Sequence, residues 1–224
     1  MCCLSDVKMK GIAHDLARKM RMTKPLVCIV DDERAVLDVV KRMIQSGGYD
    51  CRCYQTANEL LDAFDESVDC VVTDLKMPEM DGAELLEKIR ELDRLVSVVV
   101  LTAHADIPTT VNLMQQGAVS LIEKPVDANQ LLSTVDKAIE LTRAQRRLRS
   151  EANDARRRIH SLSANELDVL REMISGAPNK AIAMRLQISS RTLDRRRQHI
   201  LEVMKLDSVA ELATVVARYN LLDD

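Results

Sequence analysis

The chain has 224 residues, 46% hydrophobic and 30% charged, which is the balance of a water-soluble globular protein with room for one large domain or two small ones. Its net charge of -3 hides an uneven distribution: residues 25–128 carry nine basic and twenty acidic side chains (-11), residues 129–224 seventeen and thirteen (+4), and residues 1–24 six and two (+4). No apolar run approaches the ~20 residues of a membrane span, no signal-peptide core opens the chain, and aromatics at 2% are too scarce for base-stacking recognition of single strands. An acidic part joined to a basic part suggests a cation for the first and a polyanion for the second.

In chain order, residues 1–24 read as a basic extension with a weak helical pattern at Ile12, Leu16 and Met20. Leu26 to Val30 is an apolar run that stops at Asp31-Asp32-Glu33. Val36, Val39, Val40, Met43 and Ile44 then recur at helical spacing, and Gly47-Gly48 ends that helix. A strand from Tyr49 to Tyr54 follows, with Cys51 and Cys53 alternating along it, and Thr56 can cap a helix to about Phe64. The remaining pattern gives a strand ending at Asp74, a helix over 82–92, a strand over 96–101, a helix over 107–116, a strand over 119–122 and a helix from about Asp127. Strands and helices alternate five times, and the connections suit only parallel pairing. The expected fold is α/β, a five-stranded doubly wound parallel sheet over residues 25–142.

The last of these helices keeps its apolar period to Leu141, after which 143–160 is rich in Arg and Ala and reads as a solvated helical linker. Four helical segments follow, over 163–175, 178–186, 189–205 and 208–220. Ser163 with Glu166 fits a capping box, and Pro178 suits a helix start. Residues 161–224 are therefore expected to form an all-α four-helix helix-turn-helix domain. All six cysteines precede residue 71, without a zinc-finger spacing, and read as free thiols in a reducing cytosol.

In an open parallel sheet, ligand chemistry gathers at the carboxyl ends of the strands. There the sequence places Asp31, Asp32 and Asp74, the hydroxyl of Thr102 and the ammonium of Lys124. Three carboxylates at one edge repel unless a cation offsets them, and Mg²⁺, a hard ion with oxygen ligands, suits the set. Acids, metal, hydroxyl and lysine together make a phosphoryl site, with one carboxylate as nucleophile.

Asp31-Asp32-Glu33, Asp74 within Asp-Leu-Lys-Met-Pro-Glu-Met-Asp-Gly, Thr102-Ala103 and Glu123-Lys124-Pro125 stand in order, each at its own strand end. This pattern resembles the receiver of two-component response regulators of the FixJ/NarL type. The resemblance implies that a sensor histidine kinase phosphorylates Asp74. It makes Asp31, Asp32, Asp74 and the Lys76 carbonyl the ligands of Mg²⁺, and gives Thr102 and Lys124 to the phosphoryl group. One switch position, usually Tyr or Phe, is Leu121 here.

In the basic part, the segment from Ser190 carries Leu193, Ile200, Leu201 and Met204 as an inward stripe. Asp194, Arg195 and Gln198 fall on another face, where base edges are reachable, while Lys180, Arg191 and Arg197 suit phosphates. Asn179-Lys180, Ile188-Ser189, Arg191-Thr192-Leu193 and Ala210-Glu211-Leu212 resemble the LuxR-type helix-turn-helix, which adds Thr192 to the DNA-binding set. This chain has Arg196 where that family often has His. The resemblance also implies pairing of two domains through the last helix on double-stranded DNA. The resulting reading is a cytoplasmic transcription regulator, not an enzyme, controlled by phosphorylation and dimeric when active. A regulator of the same build acting only through protein partners, and a phosphorelay intermediate without DNA output, are the alternatives.

Overall fold

The computed structural model describes residues 24–104 and 106–222, so the helical pattern read at Ile12, Leu16 and Met20 lies outside the described residues. The chain divides into two compact units between Gln145 and Arg146.

The first unit is built on five strands, β1 (Leu26–Val30), β2 (Asp50–Tyr54), β3 (Val68–Asp74), β4 (Ser97–Thr102) and β5 (Ser120–Glu123). They pair in parallel in the order β2-β1-β3-β4-β5. The helices α1 (Arg34–Ser46), α2 (Ala57–Asp62), α3 (Gly82–Leu92) and α4 (Ile107–Gln115) alternate with them, and α5 (Ala128–His160) follows β5. Because both faces of the sheet are covered, the central strands read as unbroken apolar runs rather than alternating ones. Cys28, Val30, Val71, Val98 and Val100 face one core with Leu60, Leu85 and Ile89. Val27, Ile29, Val72, Val99 and Leu101 face the other with Leu37, Ile44, Leu131 and Val135.

Two polar clamps tie α5 to the amino edge of the sheet. Arg143 makes a two-pronged pair with the buried Asp69, at 2.9 Å on each side, and Asp69 also accepts the amide of Leu26. Thr142 is fully buried, accepts the amide of Ser97 and donates to its hydroxyl or to the carbonyl of Ala138. Polar groups withdrawn from water this far need such partners.

The second unit contains the end of α5 together with α6 (Ala164–Ile174), α7 (Asn179–Arg185), α8 (Ser190–Met204) and α9 (Val209–Tyr219). Its core joins Val169, Leu170, Ile182, Leu193, Ile200 and Leu212 with Ala155, Ile159 and Leu162. The stretch 143–160, expected as a solvated helical linker, is part of α5 but is shared out between the units rather than solvated throughout. Arg143 is clamped in the first, while Ala155 and Ile159, 5% and 2% exposed, are core of the second. The arginines around them mask an apolar pair spaced four apart, which falls on one helix face.

Candidate functional site

The strand order brings the expected residues of the first unit to one edge. Asp31 follows β1, Asp74 ends β3, Thr102 ends β4 and Lys124 follows β5. Asp31, Asp74 and Thr102 are buried, at 1%, 7% and 3% exposure. Lys124 bridges the two acids, with Nζ 2.8 Å from Asp31 Oδ2 and 2.5 Å from Asp74 Oδ1. Burial alone would weaken the charge on Lys124, but its bonds to Asp31 and Asp74 prevail and hold its pKa above the usual lysine value. The remaining oxygens are also held: Asp74 Oδ2 accepts the Lys76 amide at 2.8 Å and Asp31 Oδ1 the Glu33 amide at 2.9 Å. Both carboxylates are thus fixed in direction before any ligand arrives.

The loop after β3 lies tightly against Asp74. A Cβ on Gly82 would stand 2.3 Å from the Asp74 carbonyl oxygen, so only glycine fits where α3 begins. Asp81 caps that helix, accepting the amides of Ala83 and Glu84 while Glu84 accepts the amide of Asp81. The sequence places Gly82 at the start of the helix over 82–92, as found. Its close approach to Asp74 is a packing fact that the motif alone does not show.

Asp32 departs from the expected cluster. Its side chain is exposed, and among the described residues no group of three or more acids, histidines or cysteines is placed to hold a metal ion. Lys124 offsets part of the charge of two carboxylates, and a third beside them would add unbalanced repulsion, so Asp32 stays in water. Thr102 has its hydroxyl in its own loop, donating to the His104 carbonyl at 2.9 Å and accepting the His104 amide at 3.2 Å. Leu121 is half-buried and packs against the core that contains Val98 and Val100.

In the second unit, α8 buries Leu193, Ile200 and Met204 and exposes Arg191, Asp194, Arg195 and Gln198, as its pattern requires. Ser189 caps it by accepting the Thr192 amide, and the two hydroxyls are 2.8 Å apart, so Thr192 is committed to the helix start. Arg197 donates to Asn179 of α7 at 2.9 Å, and Gln198 to Glu202 at 3.0 Å. Lys180 is exposed at the start of α7. A groove of about 530 Å³ runs along α8, lined by Arg195, Arg196, Gln198 and His199 on that helix and by Ser163 and Glu166 opposite.

The capping box expected from Ser163 and Glu166 is present in this groove, and His199 adds to it a contact that the sequence does not show. Glu166 accepts from Ser163 Oγ at 2.6 Å and from the Ser163 amide at 2.9 Å, and its other oxygen lies 2.6 Å from His199 Nδ1. The Ser163 hydroxyl and amide, then His199, pull the Glu166 carboxyl down to about 2. Residues thirty-three apart carry no periodic signal, so only the fold reveals the pair. A carboxyl depressed below its unfolded value near ~4.3 contributes stability above that pH and loses it as pH falls toward the folded value. Glu166→Gln is therefore expected to destabilise the protein at pH 6 but progressively less toward pH 2. Urea melts across that range measure it, and a cost independent of pH would refute the assignment.

Residues 27–136 match the response regulator receiver domain family, and residues 160–216 match the luxR family of bacterial regulatory proteins. The transcriptional regulatory protein FixJ of Bradyrhizobium diazoefficiens is 32% identical over 90% of this chain and 99% of its own length. FixJ of Rhizobium meliloti is 37% identical over 85% of this chain and 94% of its length. Among solved structures, the response regulator StyR is similar with a TM-score of 0.78 and 30% identity, over 88% of this chain and all of that one. Full-length FixJ from B. japonicum follows with a TM-score of 0.55 and 31% identity, over 90% and 100%.

Proposed function

The chain belongs to the response regulators that join a receiver domain to a LuxR-type DNA-binding domain, and from that premise we propose that phosphorylation of Asp74 by a sensor histidine kinase controls its binding to double-stranded DNA. It is a transcriptional regulator rather than an enzyme in the usual sense, and a build acting only through protein partners is not favoured. The observation that carries the proposal is the shared contact of Lys124 with Asp31 and Asp74 at the carboxyl edge of the sheet.

Attack by an Asp74 oxygen on phosphorus forms an acyl phosphate and breaks the bond to the donor histidine. Lys124 then stands ready to exchange its Asp74 contact for a phosphoryl oxygen, and Thr102 to leave the His104 loop for another. Asp31, Asp32, Asp74 and the Lys76 carbonyl are all oxygen donors, as Mg²⁺ prefers, and would hold the ion. Mg²⁺ supplies charge neutralisation for the transferring oxygens. With Asp32 in solvent, a partly hydrated ion suits this edge better than a dehydrated one. Leu121 offers no ring to rotate inward, so output from the receiver runs through aliphatic repacking. The phosphoryl group is then lost slowly to water. When active, two copies pair through α9 on DNA, which places the protein's work in the cytoplasm. No helix among the described residues is long and apolar enough to cross a membrane.

Footprinting on promoter DNA, with and without a small acyl-phosphate donor in Mg²⁺, tests the control. Protection that ignores phosphorylation would remove the switch. Asp32→Ala is expected to raise the Mg²⁺ concentration needed for half-maximal labelling, since one charge near the ion is gone. An unchanged Mg²⁺ dependence would take Asp32 out of the ligand set.

The DNA face makes separate expectations. Arg195, exposed on α8, is placed for a base edge, so Arg195→Ala should cost about 1–3 kcal/mol on the specific site and relax one base position. Lys180, at the start of α7, should contact phosphate, so Lys180→Ala should weaken all sequences alike and reduce the salt slope by ~1. Binding to a panel of single-base variants at fixed salt separates the two. Equal losses across the panel for both substitutions would deny Arg195 a base contact.

A further inference from the structure

Cys51 and Cys53 occupy alternate positions of β2, one of the two edge strands of the sheet. Side chains two apart on a strand share a face. Opposite them on β1 are Val27 and Ile29, and both cysteines pack, half-buried, against the core that those residues share with Leu37, Val40 and Ile44 of α1. Lys41 of α1, the helix they pack against, favours the charged form of both thiols. Both are free, and nothing in the phosphorylation chemistry uses them.

Three chemistries could use such a pair. A disulfide is opposed by the backbone. An extended strand sets Cα atoms two apart at about 6.6 Å with parallel Cβ vectors, whereas a disulfide needs Cβ atoms roughly 3.5–4.5 Å apart. Zinc is opposed by the ligand count: it takes four ligands, and among the described residues no group of three or more histidines, cysteines or acids is placed for a metal. A soft ion satisfied by two sulfurs has neither difficulty. Two metal–sulfur bonds in line, each no longer than the roughly 2.3 Å of a zinc–thiolate bond, span at most about 4.6 Å, which neighbouring thiols on one strand face can bracket by rotation about χ1.

We propose that Cys51 and Cys53 form a two-sulfur site for a soft metal ion of the monovalent-copper class. Binding replaces two S–H bonds by two metal–sulfur bonds and releases two protons, with no change of oxidation state. Two thiolates on a monovalent ion leave one net negative charge, which the positive charge that Lys41 exerts on both cysteines would offset. Asp38 acts on Cys53 and Asp50 on Cys51 in the opposite sense. Burial raises the pKa of both thiols above the ordinary cysteine value. They are therefore protonated at neutral pH, and metal binding must expel both protons.

The test uses the full chain carrying Cys2→Ser and Cys3→Ser, which removes the thiols outside the described residues. Cu⁺ is offered without oxygen against a coloured copper(I) chelator. One ion per chain is expected, held about 100-fold more tightly for each pH unit gained between 6 and 8, because two protons leave. Cys51→Ser and Cys53→Ser should each weaken it by more than the roughly 100-fold that outer-shell changes cost. Each variant should keep its helical circular dichroism and its phosphoryl labelling. X-ray absorption on the chain with both thiols intact should show two sulfur neighbours, which does not depend on how the variants fold. Affinity unchanged in either variant, displacement of the copper by equimolar Zn²⁺, or an absorption spectrum with three or more sulfurs would overturn the proposal.

Discussion

Asp74→Asn is expected to abolish phosphoryl labelling by a small acyl-phosphate donor while leaving the fold intact. The loss should be complete because the amide has no nucleophilic carboxylate oxygen to offer. Asp31, the acid that shares Lys124 with Asp74, is 1% exposed, with one oxygen on the Glu33 amide and the other on Lys124, so it is poorly placed to substitute. The fold should survive for reasons visible at the same site. Lys124 keeps Asp31 at 2.8 Å, so replacing Asp74 leaves no unpaired buried cation. The asparagine carbonyl can still accept the Lys76 amide that Asp74 Oδ2 now accepts. Labelling is read by mass, as an added phosphoryl group, and the fold by the midpoint of a urea melt. Wild-type labelling on the variant would place the phosphoacceptor elsewhere and would sink the proposed control of DNA binding.

The reason that Asp74 could be named from sequence is the same reason that Asp32 could not be placed. A strand buried on both faces must read as an apolar run, and the polar residues that end it lie at or next to the rim. Asp31, Asp74, Thr102 and Lys124 all follow from that rule, and the structure sets them there. Which rim acids face each other is a matter of charge balance across four strands, and Lys124 satisfies two of them while Asp32 turns to water. Periodicity is likewise blind to pairs far apart in the chain. Asp69 with Arg143, and Glu166 with His199, join elements whose separation has no period. The helix boundaries fared better, because Asp81, Ser189 and Ser208 cap through local bonds that a short stretch of sequence can show. In 143–160 the local signal misled. Six arginines from Arg146 to Arg158 advertise solvent, while Ala155 among them and Ile159 just after them are buried in the core of the second unit, at 5% and 2% exposure.

That last point yields the largest expected effect on stability. A DNA-binding fragment cut at Ser161 should fold poorly, and one cut at Arg146 should fold well. The shorter piece loses Ile159 and Ala155 from the core that contains Leu170, Leu193 and Ile200. It also loses Arg158, which donates to the Met204 carbonyl at the end of α8, and Glu151, which accepts from the Tyr219 hydroxyl at 3.0 Å. Removing the Ile159 side chain alone, as Ile159→Ala, should cost about 2–5 kcal/mol. A domain of this size is stable by only ~4–12 kcal/mol, so the truncation consumes most of that margin before the lost hydrogen bonds are counted. The α8 backbone should then fray at Met204, and specific DNA affinity should fall with the folded fraction. Thermal melts of 146–224, 161–224 and 146–224 carrying Ile159→Ala compare the three directly. A cooperative transition for 161–224 at the midpoint of 146–224 would show that Ala155 and Ile159 only rest against the core without supporting it, and would return 143–160 to the role of a spacer.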